Sequence, residues 1–303
     1  MIKNRLFIND KLRVPITNCC NFSCFYCHNE GQLHKQESSF MSLDFIKGLK
    51  SFITKNNVYI NELNITGGEP LLHPNLLEIV ALLKNVSNNL CIITNGSLLT
   101  KQKIDDLIKV GITKFKFGVD TLLGEQTKLN IKHTKNDTQN LIELIKYTQM
   151  KLNNTQINVV VVEENYNEID SFINFAIQNH ISCINFIELI NCGFREKDYI
   201  RNSTPKVEYI LDKLDKTFIE TIQNDNNRII FKYKNVLIKL SKDFCNNKVC
   251  HNTYTVLHEN EIVLCHKYHN NYQFDINQVS LVELKNVIKS YICPDSNKKE
   301  RRF

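Results

Sequence analysis

The chain contains no tryptophan among its 303 residues, and its abundant asparagine speaks of an AT-rich genome more than of a chemistry. Nowhere does it carry the ~20 consecutive apolar residues that a membrane span requires. Its start, MIKNRLFINDKLRV, has no apolar run of signal-peptide length. A cytoplasmic protein with no membrane partner is the expectation. Also missing is a long basic stripe with interleaved aromatics, so the net charge of +6 calls for no nucleic acid. Such a surplus suits an anionic small molecule or an acidic partner, or is solvated surface. The tail KKERRF reads as a frayed basic end. No internal repeat or low-complexity linker divides the chain.

What the sequence does have is cysteine: eleven, an odd number, clustered near both ends. In a reducing compartment such clustering favours metal binding over disulfides.

Short apolar runs recur at 12–17, 62–66, 90–94, 114–119, 157–162 and 183–189. They are rich in β-branched and aromatic residues and read without clean alternation, as buried parallel strands do. Helical patterns lie between them. Ser42 can cap a helix with the stripe Leu43, Ile46, Leu49 and Ile53. Pro74 opens another, with Leu77, Val80 and Leu83 on one face. Further helices fit 100–110, 137–152, 168–179 and 205–223. The expected fold is α/β, six β/α units curled into a partial (β/α)6 barrel over residues 1–222. From 223 to 303 the rhythm changes to a hairpin turning at Lys234-Asn235, three more cysteines and a helical piece near 280–291, read as a small second domain.

The stretch ITNCCNFSCFYCHNEG, residues 16–31, holds four thiols within nine positions. Cys20, Cys24 and Cys27 follow C-x3-C-x2-C, a spacing that can turn three soft thiolates onto one iron–sulfur cluster and leave the fourth iron open. Zinc stays possible by count, with His28 or Cys19 as a fourth ligand. The second strand ends in TGGEP, where Gly67 and Gly68 permit close backbone approach, Glu69 offers an acceptor and Pro70 follows. The third ends in TNG, Thr94 to Gly96. All three features sit at C-terminal ends of successive strands, where barrels carry their chemistry.

With an aromatic residue, Tyr26, before the third cysteine, this pattern resembles the radical S-adenosylmethionine (SAM) enzymes. The resemblance implies a 4Fe–4S cluster on Cys20, Cys24 and Cys27, and SAM held at its open iron. It places SAM contacts at Tyr26, at Gly67, Gly68, Glu69 and Pro70, and at Thr94 and Asn95. Reductive cleavage of SAM would give a 5′-deoxyadenosyl radical that takes a hydrogen from the substrate. A small flavodoxin or ferredoxin would supply the electron.

From about 13 to 265 the chain is similar to the GTP 3′,8-cyclase family, lyases of molybdenum-cofactor biosynthesis. In that likeness Arg13 matches a family arginine of the first strand and joins the cofactor-binding set, and a second 4Fe–4S cluster is implied on Cys245, Cys250 and Cys265, whose spacing here is wider than the family's. Core cysteines or a zinc site are the plainer readings of these three.

Several family cations are replaced: Gln156 stands for a Lys, His73 for an Arg, and Asn252 and Tyr254 for an Arg pair. Gly118 replaces a Ser, and the chain ends in Arg302-Phe303 where the family has Gly-Gly. Two enzyme readings therefore stand: GTP cyclisation, or the same architecture on another substrate, such as a peptide modified by a maturase-like enzyme with an auxiliary cluster. With 19 residues before Cys20, no embedded leader-peptide reader is expected. A non-catalytic iron–sulfur or zinc protein would leave GGEP and TNG without a use.

Other residues have plainer readings. Cys91, Cys183 and Cys192 fit a core. Cys293 is a possible fourth auxiliary ligand. Glu188 and Asp120 end strands and either face the mouth or pair at its rim. His28, His251 and His266 suit hydrogen bonding around cluster cysteines.

Overall fold

A computed structural model describes residues 3–27, 30, 37–123, 135–189, 206–224, 228–242, 255–265 and 270–290. Two short strands, β1 (Asn4–Arg5) and β3 (Val58–Tyr59), pair in parallel outside the main sheet. The barrel itself alternates β2 (Lys11–Pro15), α1 (Leu43–Lys55), β4 (Glu62–Thr66), α2 (Leu76–Leu83), β5 (Asn89–Thr94), α3 (Lys101–Val110), β6 (Lys114–Gly118), α4 (Lys135–Leu152), β7 (Thr155–Val161), α5 (Ile169–Gln178) and β8 (Cys183–Glu188). These six main-sheet strands lie side by side in sequence order, all parallel. The expected partial (β/α)6 barrel is what forms.

Described residues after β8 extend this sheet at both edges. On one side, β11 (Val236–Ser241) pairs in parallel with β8 and continues through antiparallel β10 (Arg228–Tyr233) to β9 (Ile219–Asn224). On the other, β12 (Thr255–His258) pairs in parallel with β2, followed by antiparallel β13 (Glu261–Cys265) and β14 (Asn270–Gln273). The sheet has twelve strands and no break at 222/223. The hairpin turns where expected, with Tyr233 opposite Val236 and Lys234 at φ 54°. A last helix, α6 (Leu281–Ser290), closes the described chain. Among the described residues no helix is long and apolar enough to cross a membrane.

Two expectations give way. The helix over 205–223 is instead a 3-10 helix at Val207–Lys213, a second at Lys216–Phe218, and then β9. Spacing of buried Val207 and Ile210 by three serves a 3-10 turn as well as an α-helix. In α2 the buried face runs through Leu76, Ile79, Val80 and Leu83, leaving Leu77 exposed. Ser42 caps α1 as expected, accepting from the Phe45 N–H at 3.2 Å.

The strands also alternate after all. Leu12, Val14, Leu63, Ile65, Ile92, Phe115, Phe117, Ile157, Ile184 and Phe186 are fully buried and form the core under the helices. Register places the intervening residues on the other face: Lys11 beside Glu62, Arg13 beside Asn64, Cys91 beside Lys114, Lys116 beside Gln156, and Asn158 beside Asn185 and then Lys239. On that face Lys116 Nζ reaches over β5 to Glu62 Oε1 at 2.7 Å and Asn64 Oδ1 at 2.6 Å. Lys239 Nζ likewise reaches over β8 to Gln156 Oε1 at 3.3 Å. Contacts that skip a strand require a concave surface, so the polar residues line the lumen.

Candidate active site

The cysteine loop leaves β2 at the C-terminal mouth of the barrel and is laced to the end of β4 by main chain. The Gly68 N–H donates to Thr17 O at 2.8 Å, and the Glu69 N–H to Cys19 O at 2.7 Å. A Cβ on Gly68 would stand 2.1 Å from Cys19 O, and one on Gly67, at φ +139°, 2.3 Å from Thr17 O. The two glycines are needed because the loop's backbone occupies the space a side chain would fill. The close approach expected at these glycines is thus made, in part, by the cysteine loop itself.

Glu69 is completely buried. Its carboxylate accepts from the Leu71 N–H at 3.0 Å, the Thr94 hydroxyl at 2.7 Å and the Asn95 N–H at 2.8 Å. It joins the GGEP turn, which Pro70 continues as one 3-10 turn, to TNG at the end of β5. Burial pushes its carboxyl up to about 7 against the pull of these donors. Asn95 reaches back to the loop, its amide donating to Asn21 Oδ1 at 3.0 Å, while Asn21 donates to Ser97 Oγ at 2.8 Å. Asn21 and Ser97 were not singled out from sequence; only their meeting in space marks them.

Within the loop, the Cys27 N–H donates to Cys24 O at 3.2 Å, and the Phe22 N–H to Cys20 Sγ at 3.3 Å. Cys20 is exposed; Cys19, Cys24 and Cys27 are half-buried. Cys19 Sγ lies 3.7 Å from Asn18 Oδ1. Cys24 feels Cys27, Cys20 and Asp120, and burial with these neighbours raises its thiol well above the ordinary range. Among the described residues, no three His, Cys, Asp or Glu side chains are gathered as a ready ligand set. The loop nonetheless offers the soft donors a 4Fe–4S cluster takes, beside a mouth whose glycine turn leaves main chain exposed to a ligand. The donor set fits.

Arg13 is held by a residue the sequence did not single out. Its guanidinium grips the Glu30 carboxylate through two nitrogens, with Nε to Oε2 at 3.0 Å. The Thr66 hydroxyl donates to the same carboxylate at 3.0 Å, and the His258 ring meets Glu30 O at 3.0 Å. Glu30 thereby joins β2, β4, β12 and the far end of the cysteine loop. No local pattern announces a pair 17 residues apart.

Tyr26 donates its hydroxyl to Asp120 Oδ1. Asp120 is fixed in turn, its carbonyl accepting from the Asn165 amide at 3.1 Å. Glu188 turns away from the mouth: it is buried, accepts from the Val207 N–H at 3.1 Å and faces Lys206 Nζ at 3.5 Å. It is the rim carboxylate of the two readings. His73 is buried between Met41 O, 3.0 Å from Nε2, and the Asn75 N–H, 3.1 Å from Nδ1; burial lowers its pKa. It offers no cation to a ligand.

Below the mouth the lumen is electropositive. Lys11, Lys114, Lys116 and Lys239 share it with the Glu62 carboxylate, which is held well below the usual range chiefly by Lys116 acting against burial. Lys11 is pulled down to about 8 by burial, despite Glu62 and with Arg228, Lys239 and Lys116 adding repulsion. Cys91 and Cys183 are buried on the lumen face of their strands, not in the helix-covered core.

Cys245, Cys250, Cys192, Cys293, His28, His251 and His266 lie outside the described residues, as do Asn252 and Tyr254. Cys265 ends β13. Because β12 runs with β2 and β13 runs against it, that end lies at the barrel floor, opposite the cysteine loop.

The Radical SAM superfamily model matches residues 14–176. A probable GTP 3′,8-cyclase of Sulfolobus acidocaldarius is 30% identical over 248 residues, covering 80% of this chain and 75% of the relative. The GTP 3′,8-cyclase of Clostridium acetobutylicum is 30% identical over 219 residues, 71% and 67% of the two chains. Among solved structures, Streptococcus suis SuiB bound to its precursor peptide SuiA superposes with a TM-score of 0.65 at 16% identity, over 92% of this chain and 64% of SuiB. The protein anSMEcpe with bound AdoMet superposes with a TM-score of 0.63 at 16% identity, over 94% and 82%. At that identity the two structures carry the fold alone.

Proposed function

The chain belongs to the radical SAM superfamily and, within it, to the GTP 3′,8-cyclase family, and from that premise we propose that its substrate is a nucleoside polyphosphate, GTP first, seated in the electropositive lumen. When bound, a 4Fe–4S cluster and SAM would supply the radical chemistry, directed in the proposed reaction at a ribose hydrogen of GTP. Cys20, Cys24 and Cys27 would hold that cluster. The main chain of Gly67, Gly68 and Glu69, the turn at Pro70, and Thr94 and Asn95 would form one wall of the SAM site, with Tyr26 on the other. Arg13 braces the cysteine loop through Glu30.

The observation that carries the substrate reading is the lysine set of the lumen. Four lysines, Lys116 buried and the others half-buried, share the lumen with Glu62, and burial disfavours the charge on Lys11 and Lys116, a cost that a bound polyanion offsets. The position where the family carries a lysine, Gln156, is met here by Lys239 of β11, reaching over β8. A cation absent from one strand is restored from another. Residues 223–303 would supply Cys245, Cys250 and Cys265 for a second 4Fe–4S cluster, of which Cys265 ends β13 at the floor. A substrate in the lumen would then lie between the two.

The test is an anaerobic incubation of reconstituted protein with SAM, GTP and dithionite. The expected products are 5′-deoxyadenosine and a 3′,8-cyclised nucleotide. SAM cleavage without GTP binding or turnover would overturn the substrate reading. That result favours a peptide substrate, a reading supported by Arg13, whose guanidinium is engaged by Glu30 rather than open to phosphate. The second cluster predicts about eight irons per chain, falling to about four in Cys250→Ala.

A further inference from the structure

We propose that Asp120 is a positioning residue that sets the reduction potential of the cluster on the cysteine loop by its charge, which the Tyr26 hydroxyl holds against the loop. This rests on the reading that Cys20, Cys24 and Cys27 hold that cluster.

Three groups from two elements meet here. Tyr26, in the loop, donates its hydroxyl to Asp120 Oδ1 at the end of β6. Tyr26 stands between Cys24 and Cys27 in the loop, so this bond brings the Asp120 carboxylate against the cluster cysteines, and its charge acts on the Cys24 sulfur. The carboxylate is built in rigidly. The Asn165 amide holds the Asp120 carbonyl at 3.1 Å, and Asn165 itself is 1% exposed. The next two residues are clamped by buried Glu168, which accepts from the Thr121 hydroxyl at 2.7 Å and the Leu122 N–H at 2.8 Å.

Such bracing fixes where the negative charge sits. A fixed anion beside a cluster thiolate opposes the arrival of one electron from the external donor, so it makes the cluster harder to reduce and, once reduced, a stronger reductant. The phenol hydrogen bond works the other way, by drawing negative charge off that carboxylate. Asp120 and Tyr26 therefore act with opposite sign. An anchor for the loop would behave differently: losing either partner would loosen the same contact and move every property together.

The experiment is an EPR-monitored redox titration of reconstituted protein without SAM or substrate, with iron counted on each sample. At the potential where the wild-type cluster is half reduced, Asp120→Asn should raise the ratio of reduced to oxidised cluster, on the order of tenfold. Asp120→Glu, which keeps the charge, should return toward wild type. Tyr26→Phe should lower the ratio. A change below about twofold in Asp120→Asn, or shifts of the same sign in Asp120→Asn and Tyr26→Phe, overturns the proposal. If Asp120→Asn fails to hold iron, Tyr26→Phe decides alone: a ratio that is not lowered overturns the proposal. Wild-type protein that assembles no cluster on this loop would instead defeat the ligand reading beneath it.

Discussion

The mouth of the barrel and its lumen are built by different means. At the mouth, Thr17–Cys19 and Gly67–Glu69 are joined by main-chain hydrogen bonds so close that neither glycine can accept a Cβ. In the lumen, the polar surface is made of alternate side chains of β2, β4, β6, β7 and β11 rather than of main chain. The contrast explains how one architecture keeps a fixed way of generating a radical while its substrate varies. Geometry constrains the first, whereas charge can be moved between strands for the second.

The largest effect should come from adding a methyl group at the mouth. Gly68→Ala forces the cysteine loop off the end of β4, and displacement of about 1 Å in such a site costs on the order of 100-fold in rate. Reconstituted Gly68→Ala should lose 5′-deoxyadenosine formation to that extent while GTP binding to the lumen changes little. Equal loss of both would show that the two regions are not separately built. The next effect belongs to the lumen. Lys239→Met should weaken GTP binding roughly tenfold, the worth of one charge-assisted contact. Uncoupled SAM cleavage should persist. Adding Gln156→Lys to Lys239→Met should restore binding, by calorimetry, if the two positions exchange one cation.

These regions were also unequally legible in the sequence. The mouth could be read because its parts are short and contiguous: C-x3-C-x2-C, TGGEP and TNG each fall at one strand end. The lumen could not, because its members meet only when the sheet curls. KFKFG does alternate, and that was the available sign that Lys114 and Lys116 share a face opposite Phe115 and Phe117. Nothing local ties Lys239 to Gln156, 83 residues away, or Arg13 to Glu30. The span 205–223 misled for another reason. Its apolar spacing suits a 3-10 turn, and the β-branched residues of IETIQN carry the last third into a strand.

A smaller effect follows from pH. Lys11 sits near 8, lowered first by burial. It is cationic below that value and neutral above it. Because its folded pKa is depressed, the cost of burying its charge is fully present below about pH 8 and disappears as pH rises toward the unfolded value of 10.5. The lumen therefore loses one positive charge between about pH 7 and 9, and GTP affinity should fall a few-fold over that window. Lys11→Arg, charged throughout, should flatten the profile. An unchanged slope in Lys11→Arg would place the titrating group elsewhere.

The smallest effect tests whether the ordinary scaffold between mouth and lumen is silent. The Ser42 hydroxyl caps α1 and also donates to Glu259 Oε1 at 2.7 Å, while the Ser42 N–H donates to Glu259 Oε2 at 3.0 Å. Ser42→Ala removes the cap and one of the two bonds to Glu259, a loss of about 1 kcal/mol in an exposed setting. The melting temperature should drop by about 2 °C, with GTP affinity and SAM cleavage unchanged. Glu259, however, lies in the turn between β12 and β13, next to His258, which packs its ring on Glu30 O. If Ser42→Ala lowers SAM cleavage as well as stability, the turn acts on the cysteine loop through that histidine. Glu30 would then link the two regions that the larger substitutions treat as separate.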